Sequence, residues 1–226
     1  MKLGNAAGPD GMPVEARKVL GNCGVNWLTQ FFNRVTLGSK MPDDWSNSII
    51  VPIFKQKGDA SDCSSYRGIK LISHTMKVYV RLVDSRLREM VTISQEQWGF
   101  MPKSSTTDAI FIARQVMQEC GEKRMPCYLA FLDLEKAYDR PQRAVLWKSL
   151  RGRGVSERLI SVIKDMYEDS KASVRTPHGM TKKMDITVGV HQGSALSPFL
   201  FVLTLDCIVN HLEEGPLRYR PSSRRP

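Results

Sequence analysis

The sequence lacks the cysteine and histidine pairs that hold structural zinc. Its five cysteines, Cys23, Cys63, Cys120, Cys127 and Cys207, are scattered with no CxxC pair. The four histidines, His74, His178, His191 and His211, add no zinc spacing. The thiols therefore read as reduced, intracellular ones. The opening MKLGNAAGPDG has no apolar segment of the secretory kind. The longest apolar run, Phe199 to Leu205 broken by Thr204, is too short to span a bilayer. The expectation is an intracellular chain with no membrane partner; the sparse RYRPSSRRP ending does not decide between nucleus and cytoplasm. Repeats and low-complexity tracts are absent too. Acidic residues are outnumbered, 23 against 33 lysines and arginines, and two aspartates stand side by side only at Asp43-Asp44, in a proline-bounded turn.

What is present suffices for a folded core. The chain has 226 residues, of which 42% are hydrophobic, and suits one or two domains. A net charge of +10 favours a polyanionic partner through attraction to phosphates and release of counterions.

Periodicity gives a mixed pattern. Gly8-Pro9-Asp10-Gly11 is turn chemistry, with Pro13 suited to the first turn of a helix. Trp27, Leu28, Phe31, Phe32 and Val35 fall at helical spacing, and Gly38 and Pro42 end that helix. Ser48 to Phe54 is rich in β-branched residues and reads as a strand, followed by a polar loop, KQKGDASDCSSYRG. A helix from about His74 to Met90 is basic on its outer face. Another begins near the Ser104–Thr107 cap signals and runs to about Glu119. Tyr128 to Leu134 reads as a strand, and helices follow near 142–151 and 156–168. A hairpin over 172–188 turns around Pro177-His178-Gly179. The last helix, about 197–212, is apolar nearly all the way round and needs cover on several sides. Helices interleaved with mostly antiparallel strands make an α+β arrangement.

Two segments carry chemistry. The first is AFLDLEKAYDR at 130–140, where Asp133 closes an apolar strand. A carboxylate there is costly unless compensated, and a bound Mg²⁺ would compensate it. A strand followed by a capped turn, with Asp133 merely hydrogen-bonded, is the alternative. The second is GVHQGSALSPFLF at 189–201, a Gln192-Gly193 turn before a helix start; glycine there allows close approach of a ligand, and the helix N-terminus suits anions. An ordinary capped helix start is the alternative. Upstream lies a basic stretch, IFKQKGDASDCSSYRGIKLIS at 53–73, which could equally be a solvated face.

In this order, these segments resemble the palm and fingers motifs of a reverse transcriptase of the non-LTR, LINE-type (RTE-like) class. QEQWGFMPKSSTTDAI at 95–110 and the opening GPDGMPVEA fit the same resemblance, which covers about Gly8 to Pro216. It implies a polymerase right-hand fold reduced to fingers plus partial palm with no thumb. Residues 1–126 would be a fingers-like region with an N-terminal extension, 127–216 a partial palm and 217–226 a divergent basic tail. It also implies an RNA template, a DNA primer and deoxynucleotide triphosphates as partners, and Mg²⁺ as cofactor.

The resemblance further implies roles. Asp133 would be catalytic and a metal ligand, joined by the carbonyl of Leu134. Tyr138 would exclude a ribose 2′-hydroxyl, and Asp139 would be structural, as a helix cap. Lys55 and Arg67 would grip the triphosphate, with Lys57 as a substitute for Lys55. Gln192 and Gly193 would lie against the incoming nucleotide and the template base opposite it, and Ser197 and Pro198 would border the template–primer channel. Gly99, Phe100 and Pro102 would shape the template channel; by residue type Trp98 and Phe100 could equally be core residues, and Trp98 reads as core. An aromatic-x-Asp-Asp hairpin should follow HLEEGPLR at 211–218, where the sequence instead reads YRPSSRRP. Two-metal chemistry needs more than one carboxylate, so the expectation is a polymerase fragment inactive alone, or else a non-catalytic RNA or primer–template binding module.

Overall fold

Eight consecutive residues with five β-branched or bulky apolar side chains, NSIIVPIF, form β1 (Asn47–Phe54) of the computed structural model, which describes residues 4, 6–13, 15, 19–38 and 40–213, the side chains of 210–213 excepted. The tail at 217–226 lies outside the described residues. Strand β2 (Tyr66–Leu71) runs antiparallel to β1, in register from Ile49 opposite Leu71 to Phe54 opposite Tyr66. This corrects the reading of 55–68 as loop throughout. Arg67, Gly68 and Lys70 interrupt the apolar alternation that marks a strand, yet the β1 ladder supplies its backbone partners.

On the other side of β1 lies β3 (Lys171–Thr176), and this pairing is parallel, from Asn47 opposite Lys171 to Ile50 opposite Val174. The expected hairpin forms: β3 turns at Pro177-His178 into β4 (Gly179–Met180), and β5 (Met184–Asp185) also returns against β3. The sheet is therefore mixed, in the order β2-β1-β3-β4.

The helices supply most of the core. In α1 (Gly21–Gly38), Phe32 and Val35 are buried, and Trp45 packs against Phe31, Phe32 and Tyr79 at ring distances of 5.8, 6.5 and 5.5 Å. Ser73 caps α2 (His74–Met90) by accepting from Met76 N–H, and Met76, Tyr79, Val80, Val83 and Leu87 form its buried stripe. Two short helices, α4 (Arg143–Gly152) and α5 (Glu157–Asp165), pack with the last helix, α6 (Ser197–Glu213). Leu146, Leu150, Ile160, Ile163, Phe199, Leu200 and Leu203 are almost completely buried there, each worth about 1.5–3 kcal/mol of apolar burial. Within α6 the buried Asp206 accepts from the Arg153 guanidinium and from Ser94 N–H at 3.2 Å.

Between residues 102 and 136 no residue is buried. Ser105 and Asp108 close a capping box at the start of α3 (Thr106–Glu122), but no residue of α3 is buried. Ile110, Phe111, Val116 and Met117 face solvent. The strand expected at 128–134 does not form, and Tyr128, Phe131 and Leu132 are 90%, 88% and 88% exposed. The residue types suit a strand, but a strand's N–H and C=O groups need a neighbour, and none among the described residues pairs with this segment.

Candidate nucleotide and nucleic-acid cleft

Two glycines bring distant segments together. Gly189 sits at φ +76, and a Cβ on it would lie 2.7 Å from the carbonyl oxygen of Tyr138 and 2.8 Å from that of Asp139. The Gly189 N–H donates to Pro141 O at 2.9 Å and the Val190 N–H to Tyr138 O at 2.8 Å. The turn at 136–141 is thus sewn to the segment that leads into α6. Asp139 belongs to this turn, its N–H donating to Lys136 O at 2.9 Å; Gln142 occupies the N-cap of α4, so Asp139 is not a helix cap.

Gly193, at φ +100, places the Gln192-Gly193 turn on the outer edge of β2. The Lys70 N–H donates to Gln192 O at 3.1 Å, and a Cβ at Gly193 would stand 3.2 Å from Lys70 O. The His191 carbonyl accepts from both Ser194 N–H at 3.0 Å and Ser197 Oγ at 2.8 Å. Ser197 is fully buried, and its hydroxyl pins the turn.

Beneath the turn lies a polar cluster invisible in the sequence. Lys70 Nζ donates to Ser170 Oγ at 3.0 Å, and that oxygen is 3.2 Å from His191 Nε2. The His191 ring lies 4.4 Å from the Tyr167 ring, over which the Arg143 guanidinium sits at 5.4 Å. Burial, with Arg143 nearby, lowers the Lys70 ammonium to about 7. Burial likewise holds the His191 imidazole well below its usual range, helped by Lys70 and Arg143.

Above the turn opens a cleft of about 580 Å³. Tyr138, Gln192, Gly193, Ser197 and Pro198 line it together, as the motif reading expects, although they come from segments far apart in the chain. The Tyr138 ring rests on Phe201 at 5.4 Å and meets Phe100 edge-on at 6.4 Å, which draws Phe100 to the same place. Burial raises the Tyr138 phenol, which stays neutral. Lys77 and Arg81 of α2 complete the wall. The expectation of a basic outer face on that helix left these two unassigned, although their one-turn spacing marks a shared face.

Other expected residues lie elsewhere. Lys55 and Arg67 share one exposed face of the β1–β2 ladder, since Arg67 is opposite Ile53 and Lys55 N–H donates to Ser65 O. The Lys55 ammonium donates to Ser64 O at 2.9 Å. Neither side chain lines the cleft. Gly99 and Pro102 are exposed and also outside it, and Trp98 is half-buried rather than a core residue. Asp133 and Leu134 lie on the uncovered segment. Among the described residues no group of three or more acidic, histidine or cysteine side chains could hold a metal ion. The carboxylate of Asp133 and the carbonyl of Leu134 do not by themselves fit a two-metal centre.

A family model described as reverse transcriptase (RNA-dependent DNA polymerase) matches residues 54–219. The chain belongs to the reverse transcriptase family. The match begins at the end of β1 and takes in the cleft. Among curated relatives, this reverse transcriptase chain is 25% identical over 210 residues to the Pol polyprotein of the type-1 retrotransposable element R2 of Nasonia vitripennis, covering 93% of the chain and 20% of the relative. It is 26% identical over 212 residues to the probable RNA-directed DNA polymerase from transposon BS of Drosophila melanogaster, covering 91% and 23%. It is 28% identical over 214 residues to the RNA-directed DNA polymerase from mobile element jockey of Drosophila funebris, covering 91% and 23%. These relatives are polymerases of non-LTR retrotransposons. The reverse transcriptase chain spans about a fifth to a quarter of their length.

Proposed function

We propose that these 226 residues form the fingers and part of the palm of an RTE-like reverse transcriptase, and that the cleft receives an RNA template, a DNA primer and an incoming deoxynucleotide. Residues 1–126 are the fingers-like part and 127–216 the palm part. The observation that carries this reading is the convergence of Tyr138 with Gln192 and Gly193 in one cleft, within a segment that matches the reverse transcriptase family. Tyr138 would exclude a ribose 2′-hydroxyl, and Gln192 and Gly193 would lie against the incoming base. Lys55 and Arg67, on the exposed hairpin of β1 and β2, would reach the triphosphate from outside the cleft. Gly99, Phe100 and Pro102 would border the template.

Reverse transcriptases use divalent metal, which would stabilise the charge that develops on the transferring phosphoryl group. Asp133 and Leu134 would be this chain's contribution, and they fit only part of a two-ion site. The polypeptide of these residues is therefore a primer–template binder that does not extend the primer. An extension assay on an RNA template, with Mg²⁺ and deoxynucleotides, checks the second half of that statement, and synthesis by the purified chain would overturn it. Filter binding of a primer–template at several salt concentrations checks the first half. Affinity should fall steeply with salt, and undetectable or salt-insensitive binding would overturn the nucleic-acid reading.

A further inference from the structure

Helix α2 offers the cleft two cations on one face. Lys77 and Arg81 are one helical turn apart and both line it, and among the described residues no carboxylate does. The Lys77 ammonium is partly desolvated, which lowers it from the usual lysine range, while Asp10 acts the other way. Asp84 is near enough to Arg81 to feel its charge, but Asp84 is occupied by Arg88, whose Nε lies 3.0 and 3.1 Å from its two oxygens. A partly desolvated cation beside a cleft with no carboxylate among its described lining residues gains most from an anion that enters.

Tyr138 supplies the rest of the surface. Its ring is half-buried and held against Phe201 and Phe100, so it presents a preset aromatic group in the same cleft as the α2 cations and the Gln192-Gly193 turn. Cations along one wall and an aromatic ring beside them are the chemistry that holds a single strand, phosphates on the one and bases on the other. Lys55 and Arg67 stand outside the cleft and cannot provide that wall.

We infer that Lys77 and Arg81 hold the sugar–phosphate backbone of a single RNA strand lying through the cleft, as a basic surface separate from Lys55 and Arg67. This rests on the proposed nucleic-acid reading of the same cleft.

The test is fluorescence anisotropy with an end-labelled oligouridylate of about twelve nucleotides, a length within the footprint of single-strand sites. The pair Lys77→Gln and Arg81→Gln should weaken binding roughly tenfold and lower the slope of log affinity on log salt by about 1.4, about 0.7 for each phosphate that is no longer neutralised. The pair Arg34→Gln and Lys148→Gln removes the same charge from exposed positions outside the cleft and should leave the affinity within about twofold. Equal losses from both pairs, or none from the α2 pair, would overturn the inference. No binding by the unaltered chain would instead overturn the broader reading. Because Lys77 is partly buried, the unaltered chain is also crosslinked to an oligonucleotide carrying 4-thiouridine. Crosslinked peptides should map to 74–90, and crosslinks confined to 53–73 would also overturn it.

Discussion

Gly189 and Tyr138 touch through their backbones so closely that no side chain fits between them: a Cβ on Gly189 would lie 2.7 Å from Tyr138 O. Gly189→Ala should therefore combine an unfavourable φ of +76 with a clash against backbone that cannot swing aside. Gly154→Ala is the matched control, at φ +73 with nothing within 4 Å. The expected outcome in urea denaturation is a loss of about 1 kcal/mol for Gly154→Ala and about 3 kcal/mol or more for Gly189→Ala. Equal losses would mean that this close approach does not hold the 136–141 turn against the path into α6.

The Lys70 ammonium predicts a pH dependence. Its folded-state value of about 7 lies below the ordinary 10.5, so between these values the unfolded chain binds a proton that the folded chain has released. Stability then rises with pH across that window, by at most about 1.4 kcal/mol per unit, and this contribution is flat below and above it. Lys70→Met removes the slope. Denaturation midpoints of both proteins between pH 7.5 and 9.5 should converge as the pH rises. Parallel curves would show that Lys70 stays charged in the fold.

Asp206 should matter more than an ordinary ion pair. Its side chain is 2% exposed, and it serves both Arg153 and the backbone N–H of Ser94. Asp206→Ala strands both donors and should cost about 3 kcal/mol. A double-mutant cycle with Arg153→Met isolates the charge pair, with an expected coupling of about 1 kcal/mol or more. Coupling near zero would leave the Ser94 N–H as the significant partner.

Tyr138→Phe keeps the ring against Phe201 and Phe100, whereas Tyr138→Ala removes it. If bases stack there, the alanine variant should lose about 1–3 kcal/mol of oligonucleotide affinity and the phenylalanine variant almost none. Comparable losses would point to the hydroxyl rather than the ring.

The parts legible in the sequence were those set by local chemistry. The β-branched run of β1, the Ser105 cap of α3 and the turn at Pro177-His178 all sit where residue type alone puts them. The meeting of Tyr138 with Gln192 and Gly193 was legible through the family resemblance. What escaped depended on distant partners. Strand β2 is defined by its ladder with β1 and not by the alternation that Arg67, Gly68 and Lys70 break. The segment at 128–134 has a strand's composition, and among the described residues it has no neighbour to make it one. Lys70, Ser170 and His191 form one cluster, yet Lys70 and Ser170 are 100 residues apart, and no spacing rule joins them.

The parallel pairing of β1 with β3 has a kinetic consequence. Ser48 Oγ donates to Lys171 O across 123 residues at 2.8 Å, whereas β1 and β2 are joined by a short loop. Closing so long a loop costs chain entropy before any pairing compensates, so the hairpin of β1 and β2 should form early and its union with β3 late. Until that union the edge of β1 that receives β3 is bare, and a second molecule's strand can pair with it. Refolding yield should accordingly fall with protein concentration even where the native state is stable, because assembly of this sheet is a race between an intramolecular closure and an intermolecular one.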